Sequence, residues 1–93
     1  MKQPILYIKN GCPWCTKALA FFQNYGVALD VRDVNQNRED RARMLEVSGQ
    51  SLTPTFEFNG VVIADFGVDE FVEAINQHPE TRKAIGLPDD LKA

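Results

Sequence analysis

Cys12 and Cys15 stand close together in a chain that has no other cysteine. An apolar run at residues 5–8 precedes them and helical periodicity over residues 16–25 follows them, which predicts a strand-to-helix turn at the pair. Cys12 then lies at a helix N-terminus, where free backbone N–H groups and the helix dipole favour a thiolate. Because the thiolate is the form that attacks disulfides, the predicted chemistry is thiol–disulfide exchange. Cys12 is the predicted attacker, and the more shielded Cys15 resolves the mixed disulfide.

Length and composition predict a single folded domain spanning residues 1–93. The chain has 93 residues, of which 44% are hydrophobic, enough for one small core. We expect no membrane segment, because no apolar run approaches the roughly 20 residues that a membrane helix needs. The N-terminus leads into the first strand without the pattern of a signal peptide, so we expect a cytoplasmic protein. In a reducing compartment, a close cysteine pair is more often catalytic than structural.

Charge is distributed unevenly along the chain. The net charge of −3 argues against nucleic-acid binding. Residues 1–26 nevertheless carry Lys2, Lys9 and Lys17 and no acid, so the segment with the thiols is basic. A basic rim helps to ionise a thiol and attracts anionic substrates. We predict a functional role for Lys9, three residues before Cys12, and only a tuning of local charge for Lys17.

Periodicity predicts an α/β protein with the element order β-α-β-α-β-β-α. The first strand is apolar on both faces and is therefore predicted to be central. Asn59-Gly60 between two apolar runs is a strong hairpin signal. The predicted elements are strands at Ile5–Ile8, Val27–Asp33, Thr55–Phe58 and Val61–Ala64, and helices at Thr16–Tyr25, Arg38–Val47 and from Val68 to Ile75. A four-stranded mixed sheet with helices on both faces accommodates the parallel first half and the antiparallel second half.

Four finer expectations concern the second helix and the C-terminus. Asn35 or Asn37 is predicted to cap the second helix, with Ala42 and Leu45 facing inward. Pro79–Ala84 is predicted to add a helical turn. Asp89–Ala93 is expected to fray.

In order and spacing, three motifs resemble those of the glutaredoxins. Cys12-Pro13-Trp14-Cys15 is similar to the dithiol motif Cys-Pro-Tyr-Cys. Leu52-Thr53-Pro54 stands where the family has Thr-Val-Pro with a cis proline, and Phe66-Gly67-Val68-Asp69 stands where it has Gly-Gly, Cys or Ser, and Asp. The resemblance covers about residues 3–77 and leaves 78–93 as a short extension. It implies a thioredoxin-like fold and a glutathione-dependent thiol–disulfide oxidoreductase that acts as a monomer.

The resemblance also implies a set of binding residues. Pro13, Trp14 and Pro54 would form the active-site loop around the thiols. Glutathione would be a co-substrate, with no bound cofactor. Its contacts would be Lys9 and Arg41 for the glycine carboxylate, Thr53 for the cysteine backbone, and Gly67, Val68 and Asp69 for the γ-glutamyl end. Two departures bear on this site: Phe66 replaces a glycine and either points away or narrows the γ-glutamyl site, and Leu52 replaces a threonine.

The cysteine pair has three alternative interpretations. The same fold can be recharged by thioredoxin reductase, as in glutaredoxin-like donors to ribonucleotide reductase. A different class is a carrier in which two subunits share an iron–sulfur cluster through Cys12 and glutathione. Structural zinc needs about four ligands. His78 is the only further soft candidate, so the sequence predicts no metal site.

Overall fold

The computed structural model describes residues 3–92, so Lys2 of the basic segment and Ala93 of the segment expected to fray lie outside the described residues. The eight elements, in chain order, are β1 Ile5–Ile8, α1 Pro13–Asn24, β2 Asp30–Asp33, α2 Arg38–Ser48, β3 Thr55–Phe58, β4 Val61–Ala64, α3 Val68–Ile75 and α4 Pro79–Ala84. The predicted element order and the extra C-terminal helical turn are confirmed. No helix of residues 3–92 combines the length and apolar character needed to cross a bilayer.

The four strands form one mixed sheet in the order β2-β1-β3-β4, with the predicted central position for β1. β1 pairs in parallel with β2 and antiparallel with β3. The β3–β4 hairpin turns at Asn59 and Gly60, whose φ angles of 48° and 82° are both left-handed, as a two-residue hairpin turn requires. The carboxyl end of β1 therefore leads from the middle of the sheet into the segment that carries the cysteines.

The larger core lies between the sheet and helices α1 and α3, and the C-terminal residues Ile85, Leu87 and Leu91 complete it. Phe71 of α3 is its hub, because its ring centroid lies 5.0 Å from that of Phe22 in α1 and 5.1 Å from those of Phe56 and Phe66. These four side chains are buried. Edge-to-face aromatic pairs of this kind add to the free energy gained from burial alone. The cluster fixes α1 relative to α3, and the N-termini of these two helices carry most of the predicted site.

The smaller core lies on the other face of the sheet, under α2. Tyr7, Val34 and Met44 form it, and all three are buried. The prediction that Ala42 and Leu45 face inward is wrong, since Ala42 is exposed and Leu45 is 43% exposed. The buried face of α2 instead runs through Met44 and the half-buried residues at 40, 47 and 48. Because two of these side chains are polar, hydrophobic periodicity alone does not reveal the face.

Two further boundaries differ from the prediction. β2 begins at Asp30 rather than Val27: Val27 and Leu29 pack against the core, but residues 27–29 do not pair in the sheet. The C-terminal segment is not frayed over residues 89–92: Leu91 is 5% exposed, and its carbonyl accepts a bond from the Asn76 side chain at 3.4 Å. Burial of an apolar side chain, rather than position in the chain, decides whether a terminus is ordered.

Charged side chains line the outer strand β2. Arg32 bonds to Asp30 at 2.7 Å and to Asp40 of α2 at 3.0 Å. These hydrogen bonds to two carboxylates raise the pKa of Arg32. The pairs tie the N-terminal part of α2 to the edge of the sheet, close to the Asn37 cap whose side chain accepts bonds from the Glu39 and Asp40 N–H groups.

Acid stability is predicted to depend on Glu57 in β3. Burial raises the pKa of Glu57, but hydrogen bonds from the Tyr7 hydroxyl and the Arg43 guanidinium, both at 2.7 Å, outweigh burial and lower it. Ionised Glu57 therefore stabilises the fold above its unfolded pKa of about 4.3, and this contribution is lost as pH falls through the depressed value. Glu57→Gln should cost about 1 kcal/mol at neutral pH and flatten the loss of stability in acid.

The measurement is urea unfolding between pH 3 and 7. Glu46→Gln is the matched control, because Glu46 pairs with the same Arg43 but is 70% exposed and should contribute little. Identical acid slopes for Glu57→Gln and the unmodified chain would show that the hydrogen bonds to Glu57 do not carry the pH dependence.

Candidate active site

Cys12 is the N-cap of α1, at the end of a turn that begins with Lys9. The Cys12 N–H donates to the Lys9 carbonyl at 3.2 Å, and Gly11 within this turn has a left-handed φ of 84°. Pro13 opens the helix, where its missing N–H leaves no bond unmade. The Cys12 Sγ then accepts the N–H of Cys15 at 3.2 Å, which is the bond that a capping side chain makes. The two sulfurs are thus held side by side across the first helical turn.

The surroundings of the two thiols differ in a way that separates their acidities. Burial raises the pKa of Cys12, but hydrogen bonds from the thiol and N–H of Cys15, the Thr53 hydroxyl and the Trp14 N–H outweigh it and lower that pKa. Burial raises the pKa of Cys15, and its hydrogen bond to Cys12 raises it further. Cys12 is half-buried whereas Cys15 is only 2% exposed. The sulfur that reaches solvent is therefore also the better thiolate.

The loop before β3 approaches the same sulfur from the other side. The Thr53–Pro54 peptide bond is cis, as the resemblance implied, and Pro54 is buried. The Thr53 hydroxyl and the Thr53 carbonyl each lie 3.8 Å from Cys12 Sγ. The hydroxyl can donate to a thiolate, and the carbonyl can accept from a thiol, so Thr53 has a partner for either form of Cys12.

A surface groove of about 340 Å³ lies between Trp14 of the active-site loop and the start of α3. It is lined by Trp14, Lys17, Gly67, Val68, Asp69 and Glu70. Trp14 is 57% exposed, and the Lys17 ammonium lies 4.9 Å from the centre of its ring. The groove brings three residues of the predicted glutathione set, Gly67, Val68 and Asp69, next to the active-site loop.

The close approach of α3 to Trp14 depends on Gly67. A Cβ atom at this position would lie 3.3 Å from the Trp14 ring and 3.3 Å from the Glu70 carboxylate. The Gly67 N–H donates to that carboxylate at 2.9 Å, so Glu70 caps the start of α3. Phe66 does not narrow the groove, because its side chain is only 3% exposed and packs on Phe71 in the core. Of the two possibilities weighed for Phe66, the ring points away.

Lys9 and Arg41 occupy the other side of the thiol loop. The Lys9 ammonium donates to the Ser51 carbonyl at 2.9 Å. Exposed Arg41 lines a second depression with Val34, Asn35, Gln36 and Arg38. The Val34 N–H donates to the carbonyl of Ile8, the residue before Lys9, at 2.9 Å, so this depression lies on the Lys9 side. Neither Lys9 nor Arg41 lines the groove beside Trp14.

Sequence reasoning missed two side chains at this site. Lys17 was predicted only to tune local charge; it also lines the groove, and its position three residues after Trp14 on a helix would have shown that the two side chains are neighbours. Glu70 caps Gly67, and its spacing three residues after the cap is the recognisable half of a capping box.

Three comparisons with known proteins bear on this arrangement. The family model described as Glutaredoxin matches residues 5–63. No curated protein matches the sequence well enough to count as a relative. Among solved structures, the thioredoxin-like protein BC3987 is 26% identical with a TM-score of 0.70, and covers 77% of this chain and 99% of its own.

Two glutaredoxin structures are also similar. The glutaredoxin of Brucella melitensis is 27% identical with a TM-score of 0.64, covering 92% of this chain and 90% of its own. A buckwheat glutaredoxin–glutathione complex is 17% identical with a TM-score of 0.65, covering 91% and 81% respectively. The predicted thioredoxin-like fold is thereby confirmed.

Gly67→Ala tests the contact between α3 and the active-site loop. The added methyl group must displace Trp14 or Glu70 by a few tenths of an ångström, which moves the indole towards water. We expect Trp14 fluorescence to shift to longer wavelength, with a loss of about 1 kcal/mol or less at the cap. Trp14 is the only tryptophan, so the emission is unambiguous. Gln77→Ala, an exposed change beyond the end of α3, is the control; equal spectra for both variants would contradict the contact.

Proposed function

The chain belongs to the glutaredoxin family, whose members are thiol–disulfide oxidoreductases, and we propose that it uses glutathione to reduce protein disulfides and glutathione mixed disulfides. The observation that carries this proposal is the position of the Cys12 thiolate. Cys12 caps α1 next to Trp14, which lines the groove at the N-terminus of α3, while Lys9 begins the turn before Cys12 and exposed Arg41 lines a separate depression. Glutathione is an extended tripeptide with a thiol in the middle and a carboxylate at each end, so its chemistry matches this layout.

The binding assignment follows from the layout. The glutathione sulfur meets Cys12, and the glutathione cysteine backbone lies along Thr53. The γ-glutamyl carboxylate lies at the N–H groups of Val68 and Asp69, where the start of α3 favours an anion. The glycine carboxylate lies on the side of Lys9 and Arg41. A similar structure from buckwheat is a glutaredoxin–glutathione complex, which is consistent with glutathione as a substrate.

The exchange proceeds through disulfide transfer at Cys12. The Cys12 thiolate attacks the glutathione sulfur of a mixed disulfide, a Cys12–glutathione bond forms, and the other protein leaves as a thiolate. A second glutathione thiolate then attacks that bond, which releases oxidised glutathione and restores Cys12. For a protein disulfide, the Cys12 thiolate attacks one sulfur and forms a mixed disulfide with the protein, whose other sulfur leaves as a thiolate. Cys15 then attacks the Cys12 sulfur of that mixed disulfide, and the second protein sulfur leaves as a thiolate. The resulting Cys12–Cys15 bond is then reduced by two glutathione molecules.

The direction of thiol–disulfide exchange depends on the reduction potentials of the two partners. Glutaredoxins lie at about −200 to −230 mV, which a cytosolic glutathione pool at about −220 to −260 mV can reduce. We also propose a cytoplasmic location, a monomeric protein and no bound cofactor. Within residues 3–92, no three His, Cys, Asp or Glu side chains cluster as a metal site would need.

The source of electrons decides between this function and its closest alternative. Turnover of a glutathionylated peptide should be supported by glutathione with glutathione reductase. Leu52 favours a second candidate, recharging by thioredoxin reductase, because this side chain is 52% exposed beside Thr53 and offers an apolar contact to a protein partner. Activity with thioredoxin reductase alone would replace the first function by the second. A coloured dimer after anaerobic reconstitution with iron and sulfide would point instead to a cluster carrier.

Substitution of each cysteine separates the two steps. Cys12→Ser should abolish all exchange, because serine is not ionised at neutral pH. Cys15→Ser should retain turnover of glutathione mixed disulfides within about tenfold, since that route needs one thiolate. The same variant should lose reduction of protein disulfides that depends on the second sulfur. Residual turnover in Cys12→Ser would show that the attacking sulfur has been misassigned.

A further inference from the structure

The side chain of Gln50 spans the loop between α2 and β3. Its Nε2 donates to Ser48 Oγ at 2.8 Å, at the end of α2, and to Thr55 Oγ1 at 3.2 Å, at the start of β3. Its Oε1 accepts the Leu52 N–H at 2.6 Å, in the middle of the loop. One carboxamide thus joins both ends of the loop to its centre.

The groups that Gln50 binds are themselves anchored. Ser48 Oγ donates to the Met44 carbonyl in α2 at 2.6 Å. Thr55 is fully buried, and its hydroxyl donates to the Leu52 carbonyl at 2.9 Å. Leu52 is therefore held at its N–H by Gln50 and at its carbonyl by Thr55. The Lys9 ammonium holds the carbonyl of the preceding residue, Ser51, at 2.9 Å.

This network ends at the residue that touches the reactive sulfur. Thr53 follows Leu52 directly, and its hydroxyl and carbonyl each lie 3.8 Å from Cys12 Sγ. We infer that Gln50 is a positioning residue for thiol exchange, because its carboxamide fixes the loop that holds Thr53 against Cys12. The inference rests on Cys12 as the attacking thiol of the proposed function, but it does not depend on glutathione.

The chemistry of the position requires a glutamine. The side chain must supply two donors and one acceptor at once, which an uncharged carboxamide does. Glutamate has no donor for Ser48 and Thr55, and asparagine is one methylene shorter. Because the Thr53 hydroxyl is one of the groups that lower the pKa of Cys12, a loop released from Gln50 leaves the thiolate less stabilised.

The test measures the ionisation of Cys12 rather than stability alone. Gln50→Met keeps the length of the side chain and removes its hydrogen bonds. The rate of Cys12 alkylation by iodoacetamide is followed from pH 4 to 10, with each cysteine adduct identified by mass spectrometry. We expect the midpoint to rise by about half a pH unit, and disulfide turnover at neutral pH to fall about threefold, as for loss of one weak hydrogen bond. Gln50→Asn is the second variant if Gln50→Met does not fold.

Two further variants calibrate the result. Thr53→Val removes the hydroxyl directly and gives the largest shift that Gln50 can cause through it. Arg82→Met also breaks a side-chain network, with Asn76 and Asp89 in the C-terminal segment, so it should lower stability and leave the Cys12 midpoint unchanged. If Gln50→Met behaves like Arg82→Met, Gln50 is structural only and the inference is overturned. If Cys12 of the unmodified chain instead titrates like free cysteine, at about 8.5, the proposed function itself is contradicted, because it requires a Cys12 thiolate at neutral pH.

Discussion

The hydrogen bond from the Cys15 N–H to the Cys12 sulfur is the contact on which the rest of this site depends. It makes a cysteine the cap of α1, so the backbone that begins the helix also stabilises the anionic form of the sulfur. Both sulfurs share one helical turn, yet only Cys12 gains acidity, because Cys15 is buried and already bonded to its neighbour. The division of roles between two identical residues follows from this single turn of helix.

The scaffold serves this contact by bringing separate segments of the chain to one point. β1 lies at the centre of the sheet and leads directly into the turn before Cys12, and the Phe71 aromatic cluster fixes α3 against α1. The loop before β3 adds Thr53, which lies 41 residues further along the chain than Cys12. Since disulfide exchange requires three sulfurs in line, such fixed surroundings limit how an incoming disulfide can approach.

Local signals allowed most elements and the thiol pair to be predicted. The hairpin at Asn59-Gly60 and the apolar face of α3 follow from turn chemistry and helical spacing, and both were confirmed. The inward face of α2 was not predicted correctly, because its contact is centred on Met44 among polar neighbours. Nor was Gln50 identified, because its bonds to Ser48, Leu52 and Thr55 form only after the loop folds. A polar side chain that bonds to other groups within a loop leaves no periodic pattern in a sequence.

The placement of β1 in the sheet also has a consequence for solubility. The strand that leads to the reactive sulfur is paired on both sides, so it has no free edge to offer another chain. The free edges belong to β2 and β4, each four residues long, and β2 presents Asp30, Arg32 and Asp33. Short strands and charged side chains discourage strand addition between molecules. The two edges of the sheet therefore offer a neighbouring molecule little length of strand to pair with.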